Sequence, residues 1–146
     1  MSSLKLMSIV FASALLLSCG QKATQDSAEP VSPEQAAVQS AEAWLALVDD
    51  GKYGDSWKEA AALFKNAVTK EKWAESMDGA RSPLGKLIQR SVASSSYKTS
   101  LPGAPDGEYV VIQFQTEFEH KASAIETVTP LKEENGSWRV SGYYIN

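Results

Sequence analysis

The stretch Tyr109–Glu119, which reads YVVIQFQTEFE, decides the fold because apolar and polar side chains alternate along it. Side chains of a β-strand point to opposite faces in turn, so this pattern predicts a strand with one buried face and one polar face. The predicted buried face carries Val110, Ile112, Phe114, Thr116 and Phe118. The predicted polar face carries Gln113, Gln115, Glu117 and Glu119.

Strand patterns on both sides of this stretch predict a four-stranded antiparallel meander. The three further strands are predicted at Ser91–Leu101, Ala124–Leu131 and Trp138–Ile145. Pro102–Gly107 is a strong chain-breaking loop, and Asn135-Gly136 predicts a type I′ hairpin turn. Pro130 has no amide hydrogen for a sheet ladder, which predicts a sheet edge or a bulge at that position.

Helical patterns fill the chain before the sheet. Ser32–Gln35 is a capping box with proline at the first helical position, and Gly51 supplies the stop. The apolar face of this helix is predicted to carry Ala37, Ala41, Trp44, Leu45 and Val48. Further helices are predicted to begin at Ser56, Thr69 and Ser82, the last one reaching Ile88. Helices followed by a meander define an α+β domain with the helices packed on one sheet face.

The N-terminus has the pattern of an exported precursor. Leu6–Leu17 is an apolar run that covers about 18 Å as a helix, too short for a hydrocarbon core of about 30 Å, so it fits a signal peptide. Leu16-Leu17-Ser18-Cys19 resembles the bacterial lipobox, whose cysteine receives a diacylglyceryl group. We therefore predict a signal peptide over residues 1–18, a lipidated polar tether over residues 19–31 and one domain over residues 32–146.

The alternative for Cys19 is an ordinary signal peptide that leaves a bystander thiol. An unmodified cysteine near a flexible secreted terminus is a cross-linking liability, and acylation removes it, so we favour the lipid. The lipobox resemblance also implies a destination. Aspartate after the cysteine retains such proteins at the inner membrane, whereas Gly20 stands here. We expect anchoring through Cys19 to the outer membrane, facing the periplasm.

Composition restricts the chemistry that the chain can perform. Fourteen basic and 18 acidic side chains give a net charge of −4, which argues against nucleic acid as a partner. One cysteine and one histidine exclude a zinc site built from several such ligands, and also a disulfide framework within the chain. We predict no cofactor, no metal and no catalytic residue.

Four tryptophans are the candidate pocket-lining residues: Trp44, Trp57, Trp73 and Trp138. Three of them lie on predicted apolar helical faces, where a place in the ordinary core is the alternative. His120 lies between acidic and basic neighbours, and we interpret it as a solvated turn residue rather than a catalytic base.

The functional expectation is a non-catalytic periplasmic module that binds an envelope protein, an envelope polymer or a small ligand. The second hypothesis is a small enzyme that uses a buried carboxylate, with Asp50, Asp55 and Glu117 as candidates. The third is an accessory subunit of an envelope complex, which an exposed apolar patch on the sheet would favour.

Five segments resemble one family of bacterial domains. They are SAEAWLALVDDGKYGDSW (Ser40–Trp57), SPLGKL (Ser82–Leu87), LPGAPDGEYVVIQF (Leu101–Phe114), ETVTP (Glu126–Pro130) and WRVSGYYI (Trp138–Ile145). In this order they resemble the bacterial domain of unknown function 4019 family. The resemblance supports the domain boundaries and implies no activity, cofactor or site residue. By fold analogy alone, helices followed by a sheet also resemble the cystatin-like and NTF2-like cones.

Overall fold

The computed structural model describes residues 30–146 of the chain. Four helices come first: α1 (Pro33–Asp49), α2 (Tyr53–Glu59), α3 (Ala62–Ala67) and α4 (Lys70–Arg81). A 3-10 turn, Ser82–Leu84, leads into the strands β1 (Leu87–Lys98), β2 (Tyr109–Phe118), β3 (Lys121–Lys132) and β4 (Trp138–Ile145). Within the described residues, no helix combines the length and apolar character needed to cross a membrane. The predicted signal peptide and Cys19 lie outside the described residues.

The capping box at Ser32 starts α1 as predicted. The Ser32 hydroxyl accepts from the Gln35 amide at 3.2 Å, and the Gln35 side chain accepts from the Ser32 amide at 3.1 Å. The helix ends where Gly51 takes a φ of +70°, a conformation that glycine adopts without steric cost. The buried face carries the five predicted residues, Ala37, Ala41, Trp44, Leu45 and Val48.

The predicted helix start at Ser56 is wrong. Ser56 lies inside α2, where it is buried and its hydroxyl donates to the Tyr53 carbonyl at 2.8 Å. Ala60 and Ala61 then become extended, because the Ala61 amide donates to the Val140 carbonyl of β4 at 2.8 Å. This long-range hydrogen bond divides the predicted single helix into α2 and α3.

The predicted start of α4 at Thr69 is confirmed, whereas the predicted helix from Ser82 to Ile88 is wrong. The Thr69 hydroxyl accepts from the Lys72 amide at 3.2 Å. After one 3-10 turn, Gly85 adopts φ +75° and ψ −161°, a region that only glycine occupies readily. The chain therefore leaves the helix at Gly85 and enters β1 at Leu87, four residues earlier than the alternation predicts.

The four strands form an antiparallel sheet in the order β1-β2-β3-β4, which confirms the predicted meander and the α+β class. The turn between β3 and β4 differs from the predicted one. The Gly136 amide donates to the Glu133 carbonyl at 2.8 Å, so the turn is centred on Glu134-Asn135 rather than on Asn135-Gly136. Only one positive φ, at Gly136, is then needed from glycine. Pro130 is accommodated by a register shift between Thr129 and Pro130, so it lies at a bulge of an inner strand.

The helices cover one face of the sheet and enclose the core against it. The predicted apolar side chains of β2 face this core, and Gln113 and Gln115 on the other face are exposed. Opposite Gln113 in the neighbouring strands lie Ser94 of β1 and Thr127 of β3. The sheet thus presents a polar outer face, while the start of β4 and residues 40–47 of α1 frame an apolar groove.

Candidate functional site

A groove lies between α1 and the start of β4, with a volume of about 300 Å³. We call it the tryptophan groove. Its lining residues are Ser40, Ala43, Trp44, Leu47, Glu59, Ser137, Trp138, Arg139 and Val140. The Ser40 hydroxyl donates to the Trp138 carbonyl at 2.7 Å and holds α1 against β4. Its apolar floor and charged rim are the usual makeup of a small-ligand site.

Trp44 forms the inner wall of the tryptophan groove in a fixed orientation. Its indole Nε1 donates to the Ser56 carbonyl at 2.8 Å, and its ring lies 5.8 Å from that of Trp73 and 5.5 Å from that of Tyr143. Tilted aromatic contacts of this kind add packing energy and restrict side-chain motion. The groove is therefore built on a rigid wall.

The four candidate tryptophans separate into two pairs. Trp44 and Trp138 line the tryptophan groove, and Trp57 and Trp73 do not. Trp73 is buried, packs edge-on against Phe64 at 4.9 Å, and donates to the Ser56 hydroxyl at 3.0 Å. Trp57 donates to the Val68 carbonyl at 2.8 Å. These two side chains hold the helices together.

An ion pair forms the charged rim of the groove. The Nη1 atom of Arg139 lies 3.0 Å from the Glu59 carbonyl oxygen and 3.2 Å from its Oε2 atom. The Arg139 side chain is 34% exposed and the Glu59 side chain 62% exposed. Such a solvated pair is weak, so both groups can exchange partners with little cost.

A buried carboxylate that the sequence analysis missed lies in the core beneath α1 and α4. Glu126 of β3 is completely buried and accepts four hydrogen bonds. Its donors are Arg81 Nη1 at 3.3 Å, Arg90 Nε at 2.6 Å, Thr116 Oγ1 at 2.7 Å and Tyr143 Oη at 2.6 Å. Two cationic and two hydroxyl donors compensate the cost of burying this charge.

Asp49 completes this group, which we call the ionic cluster. Arg81 Nη2 donates to Asp49 at 2.6 Å, and Arg90 donates to it through both terminal nitrogens at 2.7 and 2.9 Å. Burial opposes the ionisation of Asp49, but hydrogen bonds from Arg90 and Arg81 outweigh it and hold its pKa below the usual range. Burial, reinforced by the charge of Glu126, raises the pKa of Tyr143.

The ionic cluster has two cations, two anions and mutually satisfied hydrogen bonds. With the hydroxyl donors Thr116 and Tyr143 included, it joins the end of α1 and the end of α4 to all four strands. Arg81 also lies over the Phe118 ring, with its guanidinium carbon 4.6 Å from the ring centre. Because every charge in the cluster is paired within it, the cluster fixes the positions of the helices and strands that it joins.

The alternation of side chains along β3 could have predicted that Glu126 is buried. Ala124, Val128 and Pro130 share its face and are buried, so a period-two reading places Glu126 among them. Arg81 falls on the same face of α4 as Trp73 and Met77. A charged residue on an apolar face predicts a buried partner of opposite charge.

The residues proposed for acid–base chemistry lie apart. Asp50 and Asp55 have side chains that are 61% and 56% exposed and pair with Lys52 and Lys58. Glu117 lies on the outer sheet face and accepts from Gln89 at 2.9 Å. His120 is exposed in the turn between β2 and β3. The structure does not bring these groups together.

Fold and site define a class: a small α+β domain whose tryptophan groove lies beside a closed ionic cluster. The chain belongs to the DUF4019 family, because the model described as "Protein of unknown function (DUF4019)" matches residues 40–143. No curated protein matches the chain. The family match includes both the tryptophan groove and the ionic cluster.

Proposed function

We propose that this chain is a lipid-anchored envelope protein whose domain is a non-catalytic binding module that uses the tryptophan groove. The observation that carries the proposal is the groove itself, with a fixed Trp44 wall, an apolar floor and a weakly held charged rim. The ionic cluster supports binding over catalysis, because both of its carboxylates are held by arginines and compensated as anions.

The anchoring part of the proposal rests on Cys19 and the residues before it. Two or more acyl chains hold a protein stably on a membrane, and the polar segment 20–31 gives the domain reach toward a partner. Cys19→Ser is expected to abolish metabolic labelling with a radioactive fatty acid and to release or misprocess the protein. Unchanged acyl labelling of Cys19→Ser would disprove the anchor.

The binding part is tested by cross-linking the full-length protein in intact cell envelopes and purifying it. Trp138→Ala is the test variant, and Tyr144→Ala is the matched control, since Tyr144 is an exposed aromatic residue of the same strand on the outer face. A tether of residues 19–31 alone controls for membrane neighbours. We expect a captured partner or a ligand-induced melting shift that Trp138→Ala loses and Tyr144→Ala keeps. If the wild-type protein shows neither a captured partner nor a melting shift, the binding module is refuted.

One observation favours a second function, that of an accessory subunit in an envelope complex. Val31, Ile88 and Val92 are large apolar side chains that stay exposed, and Val31 and Val92 share an open groove between α1 and β1. Exposed apolar surface that recurs along one edge of a domain is typical of a protein interface. Replacing all three with serine is expected to remove a co-purifying protein while leaving binding at the tryptophan groove intact.

A further inference from the structure

Trp138 offers a hydrogen-bond donor that no acceptor within residues 30–146 takes up. The indole nitrogens of Trp44, Trp57 and Trp73 donate to Ser56 O, Val68 O and Ser56 Oγ, at 2.8, 2.8 and 3.0 Å. The indole N–H of Trp138 has no acceptor among residues 30–146. This N–H is not among the buried polar atoms that lack a partner, so water reaches it, and a molecule in the groove that Trp138 lines can replace that water.

Arg139 adds further donors beside Trp138. Within residues 30–146 it donates through Nη1 alone, to the backbone and carboxylate of Glu59. The Nε and Nη2 groups of its guanidinium remain for another acceptor. Because Glu59 is mostly exposed, its carboxylate can move into water when a second anion approaches Arg139.

The remainder of the groove is apolar. Leu47 and Val140 form the floor beside the Trp44 wall, and Ala43 leaves space at the α1 side. A ligand that matches both parts has an apolar chain at one end and an anionic acceptor at the other. Charge-assisted hydrogen bonds to a carboxylate are about twice as strong as neutral ones, so the charged end fixes the orientation.

We infer that the tryptophan groove binds a small monocarboxylate with a short acyl chain. The chain lies on Trp44, Leu47 and Val140, and the carboxylate accepts from the Trp138 indole and from Arg139 in exchange with Glu59. This inference rests on the proposed binding function and gives its ligand class. A volume of about 300 Å³ is at the small end of ligand pockets, which restricts the acyl chain to a short one.

The test uses the mature chain with Cys19→Ser, which needs no detergent and carries no lipid that would compete. Octanoate, octanol and octylammonium, which share one chain length, are titrated calorimetrically. We expect octanoate to bind about tenfold more tightly than octanol, the effect of losing one charge-assisted contact, and octylammonium to bind most weakly.

Variants separate recognition of the anion from a structural role. Arg139→Gln is expected to weaken octanoate about tenfold and to leave octanol unchanged. Trp138→Phe, which keeps an aromatic ring but removes the N–H, is expected to weaken octanoate several-fold. Glu59→Gln removes the competing carboxylate and is expected to tighten octanoate, an effect that damage to the fold would not produce.

Equal affinities for octanoate and octanol, or an unchanged octanoate affinity in Arg139→Gln, would overturn the monocarboxylate inference while the binding groove stands. If the three probes fail to bind but Trp138→Ala still loses an envelope partner, the ligand class is wrong and the proposed function survives. If no probe binds and no partner is captured, both fail.

Discussion

Glu126 shows how one side chain fixes the interior of this domain. Its two oxygens accept from Arg81, Arg90, Thr116 and Tyr143, so four donors from four different elements converge on it. Removing one partner of a buried pair leaves an uncompensated charge in a medium that solvates it poorly. The consequence is a position where chemically small substitutions have large effects on folding.

Glu126→Gln is expected to lower the free energy of unfolding by about 3–5 kcal/mol, because both arginines lose a buried counter-charge. Equilibrium urea unfolding measures the change. Glu117→Gln is the matched control on the neighbouring strand, and it should cost about 0.5 kcal/mol or less because Glu117 lies on the outer face. Equal losses in the two variants would show that Glu126 is not an essential counter-ion.

The Asp49 carboxylate makes the free energy of unfolding of this domain depend on pH in the acidic range. Since its pKa is lower in the folded protein than the usual 3.8, the folded state favours the ionised carboxylate. That stability is present above pH 3.8 and is lost as pH falls through the lower folded value. Urea unfolding of Asp49→Asn should show lower stability at neutral pH and a shallower decline below pH 4. Asp106→Asn, in an exposed loop, should keep the wild-type profile, and a wild-type slope in Asp49→Asn would contradict the prediction.

At the scale of elements, the junction between α4 and β1 depends on Gly85. The Leu84 carbonyl accepts from His120, and the Lys86 amide and carbonyl both bond Glu119, so the junction is fastened to the end of β2. A Cβ at Gly85 would lie 2.8 Å from Glu119 Oε2 and 2.9 Å from His120 Cδ2. Backbone conformation and lack of space both require glycine here.

Three glycine-to-alanine variants separate these contributions. Gly85→Ala is expected to cost about 2–4 kcal/mol from strain and overlap together. Gly103→Ala has positive φ but open space, and should cost about 1 kcal/mol. Gly79→Ala, inside α4 with open space, should stabilise by about 0.5–1 kcal/mol. Melting temperatures and urea midpoints give the order, and a Gly85→Ala cost no larger than that of Gly103→Ala would exclude the overlap.

A helix or strand can be predicted from the sequence where the spacing of its apolar residues determines its buried face. The buried face of α1 and the two faces of β2 follow directly from spacing. The division between α2 and α3 does not, because it depends on Ala61 meeting Val140, 79 positions later. The ionic cluster joins Arg81 to Glu126 over 45 positions, and the groove joins Ser40 to Trp138 over 98. Such contacts are products of the assembled fold, so single-residue patterns indicate burial or capping but not the partner.

At the scale of the whole molecule, the ionic cluster stabilises the fold, and the tryptophan groove is the proposed binding surface. The cluster ties α1, α4 and all four strands into one rigid frame. The groove uses residues 40–47 of α1 and the start of β4, and its rim pair, Arg139 and Glu59, is exposed to solvent. A rigid frame beside an adaptable rim is the arrangement that a binding module needs, because preorganisation reduces the entropy lost on association.

The proposed tether, residues 19–31, is expected to contribute reach rather than stability. Pro30 and Val31 are exposed, and α1 begins after the Ser32 cap. Deleting residues 20–29 should therefore shift the melting temperature by less than about 2 °C, while it reduces capture of an envelope partner in cross-linked cells. A deletion that extends through residue 35 removes the capping box and should lower the melting temperature clearly, since a lost cap costs about 1 kcal/mol. A large drop from the shorter deletion would mean that the segment packs on the domain, and its role would then be structural.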